Sequence, residues 1–194
     1  AKNTGLYARN RYLRTGDLGR IDPDGFVWIT GRAKDLIIRG GHNIDPATIE
    51  EAMMSHAQVA FAGAIGQPDA HSGELPCVYV ELIEGGTANE EDLLAHALSE
   101  IGERAAHPKH LEIMAELPKT AVGKIFKPDL RRMAITRVFN ETLEGAASEV
   151  RVKAVKEDKK LGLVALLTPG PSGERNDGEI TGLLGGFARP WDWA

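Results

Sequence analysis

Three lysines punctuate the segment Leu117-Pro-Lys-Thr-Ala-Val-Gly-Lys-Ile-Phe-Lys127, and the middle one, Lys124, follows a glycine. A lysine ammonium is a compact cation on a long stem. At the tip of a flexible loop between a strand and a helix it can be carried to phosphate or carboxylate oxygens and offset charge building up there. Taken alone, the same residues describe a solvated lysine in a hairpin turn, the commonest setting for this side chain. Two other segments lie upstream. Thr15-Gly-Asp-Leu-Gly19 contains Asp17, whose carboxylate can accept two hydrogen bonds from a vicinal diol or cap its own turn. Gly31-Arg-Ala-Lys-Asp-Leu-Ile-Ile-Arg-Gly-Gly41 contains Arg32, a rigid fork of donors suited to ribose oxygens or to an acidic partner. Arg32 fits an exposed ion pair of little energetic weight equally well. The segment ends in Gly40 and Gly41, which suit a tight hairpin turn or leave room for a thin ligand beside the backbone.

In this order and at these spacings, the three segments resemble the last three core motifs of the adenylate-forming superfamily. That superfamily comprises AMP-forming acyl-CoA synthetases, peptide-synthetase adenylation domains and beetle luciferases. The resemblance runs from about residue 10 to about residue 137. It implies the C-terminal part of a larger ligase that joins a carboxylic acid to ATP, releases pyrophosphate, and passes the acyl group to CoA. It also implies roles. The Pro-Lys-Thr-x-x-Gly-Lys pattern makes Lys124, rather than Lys119 or Lys127, the lysine that promotes adenylation. Asp17 and Arg32 would meet the adenylate ribose. Lys34, two residues past Arg32, falls at the hinge whose backbone torsions swing the small domain. Gly40 and Gly41 would line the pantetheine tunnel after that swing, with Arg39 beside them facing a CoA phosphate. His42 could donate near the tunnel, or be a packed or exposed histidine. ATP, CoA and Mg²⁺ are the implied cofactors, the magnesium held mainly by the nucleotide and by the larger N-terminal domain. No metal ligand is expected in this chain. The acid would be fatty by default, with aromatic and alicyclic acids close behind. Two other readings stay open: an adenylation domain that loads a carrier protein, and a non-catalytic interaction module on the same fold.

Composition bounds the remaining classes. The 194 residues are 42% hydrophobic and 26% charged, with net charge −5. These are values of an ordinary globular chain of one or two domains. The basic residues are scattered, which argues against a nucleic-acid surface. No apolar run approaches the roughly 18 residues of a membrane helix. The opening AKNTGLYARN has no apolar signal core and no starting Met, and is expected to be a fragment boundary. A single cysteine, Cys77, permits no internal disulfide and fits a cytoplasmic setting. It begins an apolar stretch and reads as a strand-core thiol. The histidines show no metal spacing.

The elements that must position these residues follow from periodicity. Residues 18–29 alternate around Asp22-Pro-Asp-Gly25 and predict a β-hairpin. Short strands are expected at 35–39 and 43–44, and a helix from Pro46 capped by Asp45 with Ile49, Ala52 and Met53 on its apolar face. Strands at 59–66 and 77–84 are expected to flank a turn-rich loop, GQPDAHSGELP. A helix over 89–105, a strand over 110–117 and a helix over 128–138 complete a small α+β domain. It has a sheet of about three main strands packed by helices. The tail predicts a second hairpin, 149–156 with 161–167, then a Pro/Gly linker, a short helix over 179–187 and a Trp-rich end. Phe26, Trp28, Met53, Met54, Phe61 and Tyr79 fit core or half-buried faces. The domains are thus 1–33, the end of a large N-terminal domain; 34–139, a mobile lid; and 140–194, an extension. The extension's hairpin and Trp-ending segment resemble an extension on some bacterial acyl-CoA synthetases; no role is assigned to it, with covering a sheet edge and homo-oligomer formation both open. As a fragment, the chain is expected to be inactive alone.

Overall fold

The computed structural model describes residues 7–8, 11–144, 146 and 149–194. The expected fragment boundary at residues 1–6 lies outside them. In chain order the strands and helices are β1 Tyr7–Ala8, β2 Tyr12–Leu13, β3 Asp17–Ile21, β4 Val27–Arg32, β5 Ile37–Arg39, β6 His42–Ile44, α1 Pro46–Met54, β7 Val59–Asp69, β8 Gly73–Leu82 and α2 Glu90–Glu100. A 3-10 turn, Arg104–Ala106, leads to β9 His110–Met114 and α3 Lys127–Leu143. The tail adds β10 Arg151–Asp158, β11 Gly162–Thr168, α4 Asp177–Leu184 and β12 Trp191–Trp193.

The body of the molecule is an α+β sandwich around a mixed sheet. The three long strands β7, β8 and β9 form its centre, β7 antiparallel and β9 parallel to β8. The β5–β6 hairpin extends it to five strands through the pair Arg39 and Gly73. On one face Ala62, Ala64, Val78, Val80 and Leu111 pack under Ile49 and Met53 of α1 and Leu93 and Ala97 of α2. On the other, Ile65, Cys77 and Tyr79 meet Leu130 and Ala134 of α3. The approach of α3 needs a glycine in β7. A Cβ on Gly63 would stand 2.7 Å from Leu130 Cδ1 and 3.0 Å from Ile125 Cγ2.

Local chemistry sets the helix starts as expected. Asp45 accepts the Ala47 N–H at 3.0 Å with Pro46 in the first turn, and Asn89 accepts the Asp92 N–H at 2.8 Å. The ends differ from expectation. α2 stops at Glu100, because Ile101 turns extended before Gly102 and His107 Nε2 takes the Ile101 carbonyl at 2.8 Å. α3 runs on to Leu143, because Phe139 and Leu143 have a second core to enter. The segment read as a loop between β7 and β8 is instead ladder, from Gly66–Pro76 to Asp69–Gly73. β7 is an edge strand, where the missing N–H of Pro68 costs no ladder bond. Its turn is closed by Asp69 Oδ1, which accepts from His71 at 3.1 Å and Ser72 at 2.6 Å.

The tail packs on the far side of α3. β10, β11 and β12 form a sheet with β12 parallel to β11, a third strand that the sequence pattern did not suggest. Val150, Val152, Ala165 and Leu167, with Ile180 and Leu184 of α4, enclose Ile135, Val138, Phe139 and Leu143. Arg189 also reaches Glu74 at 2.8 Å, tying the tail to the β7–β8 hairpin.

The β3–β4 hairpin behaves differently. Its Asp22 carboxylate accepts from Trp28 Nε1 at 2.7 Å, Phe26 N at 2.9 Å and Asp24 N at 3.1 Å. These bonds, led by the one from Trp28, lower its pKa. Yet Ile21, Phe26, Val27 and Ile29 are 66–73% exposed. The expectation that six residues fit core or half-buried faces holds for Met53 and Tyr79, which are buried, and is corrected for Phe26, Trp28, Met54 and Phe61, which are exposed. Among the described residues no apolar layer covers the two aromatics of the hairpin.

Candidate functional site

Lys124 sits at the tip of a tight turn between β9 and α3. Lys119 and Ile125 form an antiparallel bridge. Within it Thr120 organises the tip: its N–H donates to the Lys124 carbonyl at 2.7 Å, and its carbonyl and hydroxyl accept from Gly123 N at 2.8 Å and Lys124 N at 3.2 Å. Gly123 has φ +78°, a conformation that costs a side-chain-bearing residue. The segment is therefore a turn closed by backbone and Thr120 side-chain bonds.

Its three lysines separate by partner. Lys119 Nζ lies 2.8 and 3.0 Å from the two oxygens of Glu81 and 4.5 Å above the Phe61 ring. Burial pushes the Glu81 carboxyl up, but the bonds from Lys119 and from Leu117 N–H outweigh it, and the net shift is downward. Lys127 Nζ lies 2.8 Å from Glu50 Oε1, which also accepts the Ala64 N–H at 2.8 Å. Both flanking ammoniums are thus committed to half-buried carboxylates. Lys124 is exposed and has no ion pair among the described residues.

Asp17 and Arg32 are brought together as the first register pair of the β3–β4 hairpin, with Arg32 Nε 3.2 Å from Asp17 Oδ1. The pair is open to water, so it holds orientation more than stability. Lys34 follows in an exposed turn closed by Asp35 N–H to the Arg32 carbonyl at 2.9 Å.

Gly40 and Gly41, at φ +55° and +88°, turn β5 into β6. Gly40 N–H donates to Ser72 O at 2.8 Å, so this tip lies against the β7–β8 turn. Beside it is a polar cleft of about 420 Å³ lined by Arg39, His42, Ser72, Arg104, His107 and Lys109. Arg39 is partly spoken for, because its Nη1 donates to the Ala105 carbonyl at 2.7 Å. Arg104 and Lys109 were not singled out from the sequence. No local motif marks them, and they reach the cleft only because α2 stops early.

The structure does not bring Lys124 and Gly40–Gly41 together. Ile125, next to Lys124, packs at Gly63, whereas Gly40 bonds to the turn beyond Asp69. The six residue steps of β7 from Gly63 to Asp69 span about 20 Å of strand.

Cys77 is fully buried, and burial pushes its thiol up to about 12, which removes it as a nucleophile. Among the described residues no three His, Cys, Asp or Glu side chains converge as a metal site. The described residues therefore do not fit a resident Mg²⁺.

This fold and the placement of its motifs define a class. The chain belongs to the adenylate-forming superfamily and carries its small C-terminal domain. Residues 48–124 match the family described as AMP-binding enzyme C-terminal domain. Among curated proteins it is similar to marinolic acid–CoA ligase of Pseudoalteromonas sp. (strain SANK 73390), 50% identical over 133 residues, covering 69% of this chain and 20% of that protein. Among solved structures it is similar to ATP-bound MatB from Rhodopseudomonas palustris. The TM-score is 0.62 at 35% identity, over 67% of this chain and 26% of that one. It is also similar to o-succinylbenzoate CoA synthetase (MenE) from Bacillus subtilis in complex with the acyl-adenylate intermediate OSB-AMP. There the TM-score is 0.59 at 32% identity, over 66% of this chain and 26% of that one. The chain thus spans between a fifth and about a quarter of the length of these relatives. No helix among the described residues is long and apolar enough to cross a membrane.

Proposed function

We propose that this chain is the swinging lid of an AMP-forming acyl-CoA synthetase, together with the last hairpin of the domain it closes on. The partners are ATP, CoA, a fatty, aromatic or alicyclic carboxylic acid, and the larger N-terminal domain of the same ligase. In the first step Lys124 approaches the carboxylate and the α-phosphate of ATP. A single ammonium there offsets the charge that develops as the acid attacks and pyrophosphate leaves. Asp17 accepts from the ribose hydroxyls, with Arg32 orienting it. The lid then turns about Lys34. Lys124 withdraws, the Gly40–Gly41 turn takes its place, and the CoA thiol displaces AMP.

The observation that carries this reading is the state of the three lysines. Two are held in ion pairs, and the third projects from a hydrogen-bonded turn with no ion pair among the described residues. The separation of that tip from the two-glycine turn supports it, since one rigid placement cannot serve both at one centre. The uncovered apolar residues of the β3–β4 hairpin fit a surface that packs on the larger domain. Residues 34–139 would then move as the lid. Residues 140–194 brace it through α3, so on this reading the tail travels with the lid.

The chain supplies the cation but holds no Gly- and Ser/Thr-rich phosphate loop in its 194 residues. Purified alone, it is expected to show no acid-dependent ATP–pyrophosphate exchange above background. Exchange at a ligase-like rate from this chain by itself would overturn the assignment.

A further inference from the structure

Two anchors flank Lys34 and divide the chain there. On the N-terminal side, Ala33 donates its N–H to the Gly16 carbonyl at 2.9 Å, which ties residue 33 to the β3–β4 hairpin. On the C-terminal side, Arg131 of α3 reaches back across 96 residues of sequence. Its Nη2 lies 2.8 Å from Asp35 Oδ1 and 3.3 Å from the Lys34 carbonyl. The two side chains are only 18% and 26% exposed, so this charge-assisted contact is shielded from competing water.

The geometry has a mechanical consequence. The Lys34 carbonyl belongs to the planar peptide that joins residues 34 and 35. Holding that oxygen and the Asp35 carboxylate together fixes the peptide plane to α3. The amide of Ala33 is fixed to the hairpin in the same way. Between the two fixed planes only φ and ψ of Ala33 and Lys34 are left to turn. The Asp35 N–H to Arg32 carbonyl bond, at 2.9 Å, spans these same two residues and is the contact that must open before they turn.

We propose that Arg131 is the positioning residue that sets the lid's pivot. It joins Asp35 to the lid, so that rotation is confined to Ala33 and Lys34 instead of spreading into Asp35 and Leu36. The inference rests on the reading that this domain turns at Lys34. A defined axis matters because the lid must deliver two different tips to one centre. At about 13 Å, the radius of gyration of a hundred-residue domain, a wobble of about 10° moves a tip by about 2 Å. Misplacement of about 1 Å can already cost about 100-fold in rate.

The 194-residue chain itself suffices for the test, by ¹⁵N relaxation across residues 31–38 in wild type, Arg131→Gln and Arg131→Lys, each checked for folding by circular dichroism. In wild type, order parameters are expected to dip below about 0.6 at Ala33 and Lys34 and to recover to about 0.85 by Asp35. In Arg131→Gln the dip should extend through Leu36. Arg131→Lys, which keeps a cation facing Asp35, should restore order at Asp35. Should Arg131→Gln fail to fold, Asp35→Asn breaks the same pair from the linker side and is read by the same criterion. A folded Arg131→Gln or Asp35→Asn chain with an unchanged dip would overturn the role of Arg131 and leave the pivot standing. Uniform rigidity over residues 33–36 in wild type would remove the pivot itself.

Discussion

Replacing Lys124 with alanine in the longer ligase should lower acid-dependent ATP–pyrophosphate exchange by about 100- to 1,000-fold. That is the loss that follows removal of one pre-aimed charge-stabilising group, about 3–4 kcal/mol of transition-state energy. Thioester formation from preformed acyl-adenylate should stay within about two-fold if, as proposed, the lysine withdraws before that step. The same change at Lys119 or Lys127 should act differently. Each would leave Glu81 or Glu50 half-buried without its cation, at a cost of about 1–3 kcal/mol in stability. That cost should be seen in melting, with pyrophosphate exchange by the folded protein little changed. Equal losses of exchange in all three variants would mean that general positive charge, and not a delivered amine, carries the step.

Phe139→Ala should destabilise the chain by about 3–5 kcal/mol, the range for removing a fully buried aromatic. Phe139 is 0% exposed, and its ring lies 5.2 Å from that of Phe187. It belongs to the part of α3 that faces the tail, so the experiment asks whether the tail is a true core or a loosely laid cover. For a chain of this size the loss corresponds to a melting shift of about 10 °C. Phe139→Leu, which keeps most of the volume, should lose much less. A loss below about 1 kcal/mol for the alanine variant, measured by urea unfolding, would mean that the tail sheet does not form a cooperative core with α3.

The parts that could be read from the sequence were those set by local chemistry. Asp22-Pro-Asp-Gly25 marked its hairpin, Asp45 and Asn89 their helix starts, and Gly40–Gly41 a turn, because each residue acts on backbone within a few positions. The extension of β7–β8 through Pro68 and Pro76 was hidden, since proline signals a loop, and the edge position of β7 that admits Pro68 shows only in the assembled sheet. α3 appeared to stop at Val138 because its last turns bury their apolar residues against the tail, a partner that no helical period reveals. β12 was missed for the same reason: three residues, Trp191–Trp193, become a strand only when β11 offers a free edge. Lys124 could be ranked above Lys119 and Lys127 by resemblance alone. The physical reason, ion pairs to Glu81 and Glu50, spans 38 residues in one case and a helix-to-helix contact in the other. The Arg131–Asp35 clamp, 96 residues apart, left no trace in the pattern.

Val122 lies two residues from Lys124 and is 79% exposed, and the polar Asp24 in the β3–β4 turn is exposed as well. Both accept a spin label without disturbing a core of this chain, whose one cysteine, Cys77, is buried. Electron–electron double resonance between labels at Val122→Cys and Asp24→Cys in the longer ligase, with its other accessible cysteines removed, reports directly on whether the Lys124 tip travels relative to the hairpin. Two separations should appear, one enriched by ATP with the acid and the other by CoA with a stable acyl-adenylate analogue. A single separation, unchanged by either set of ligands, would contradict a lid that carries Lys124 in and out.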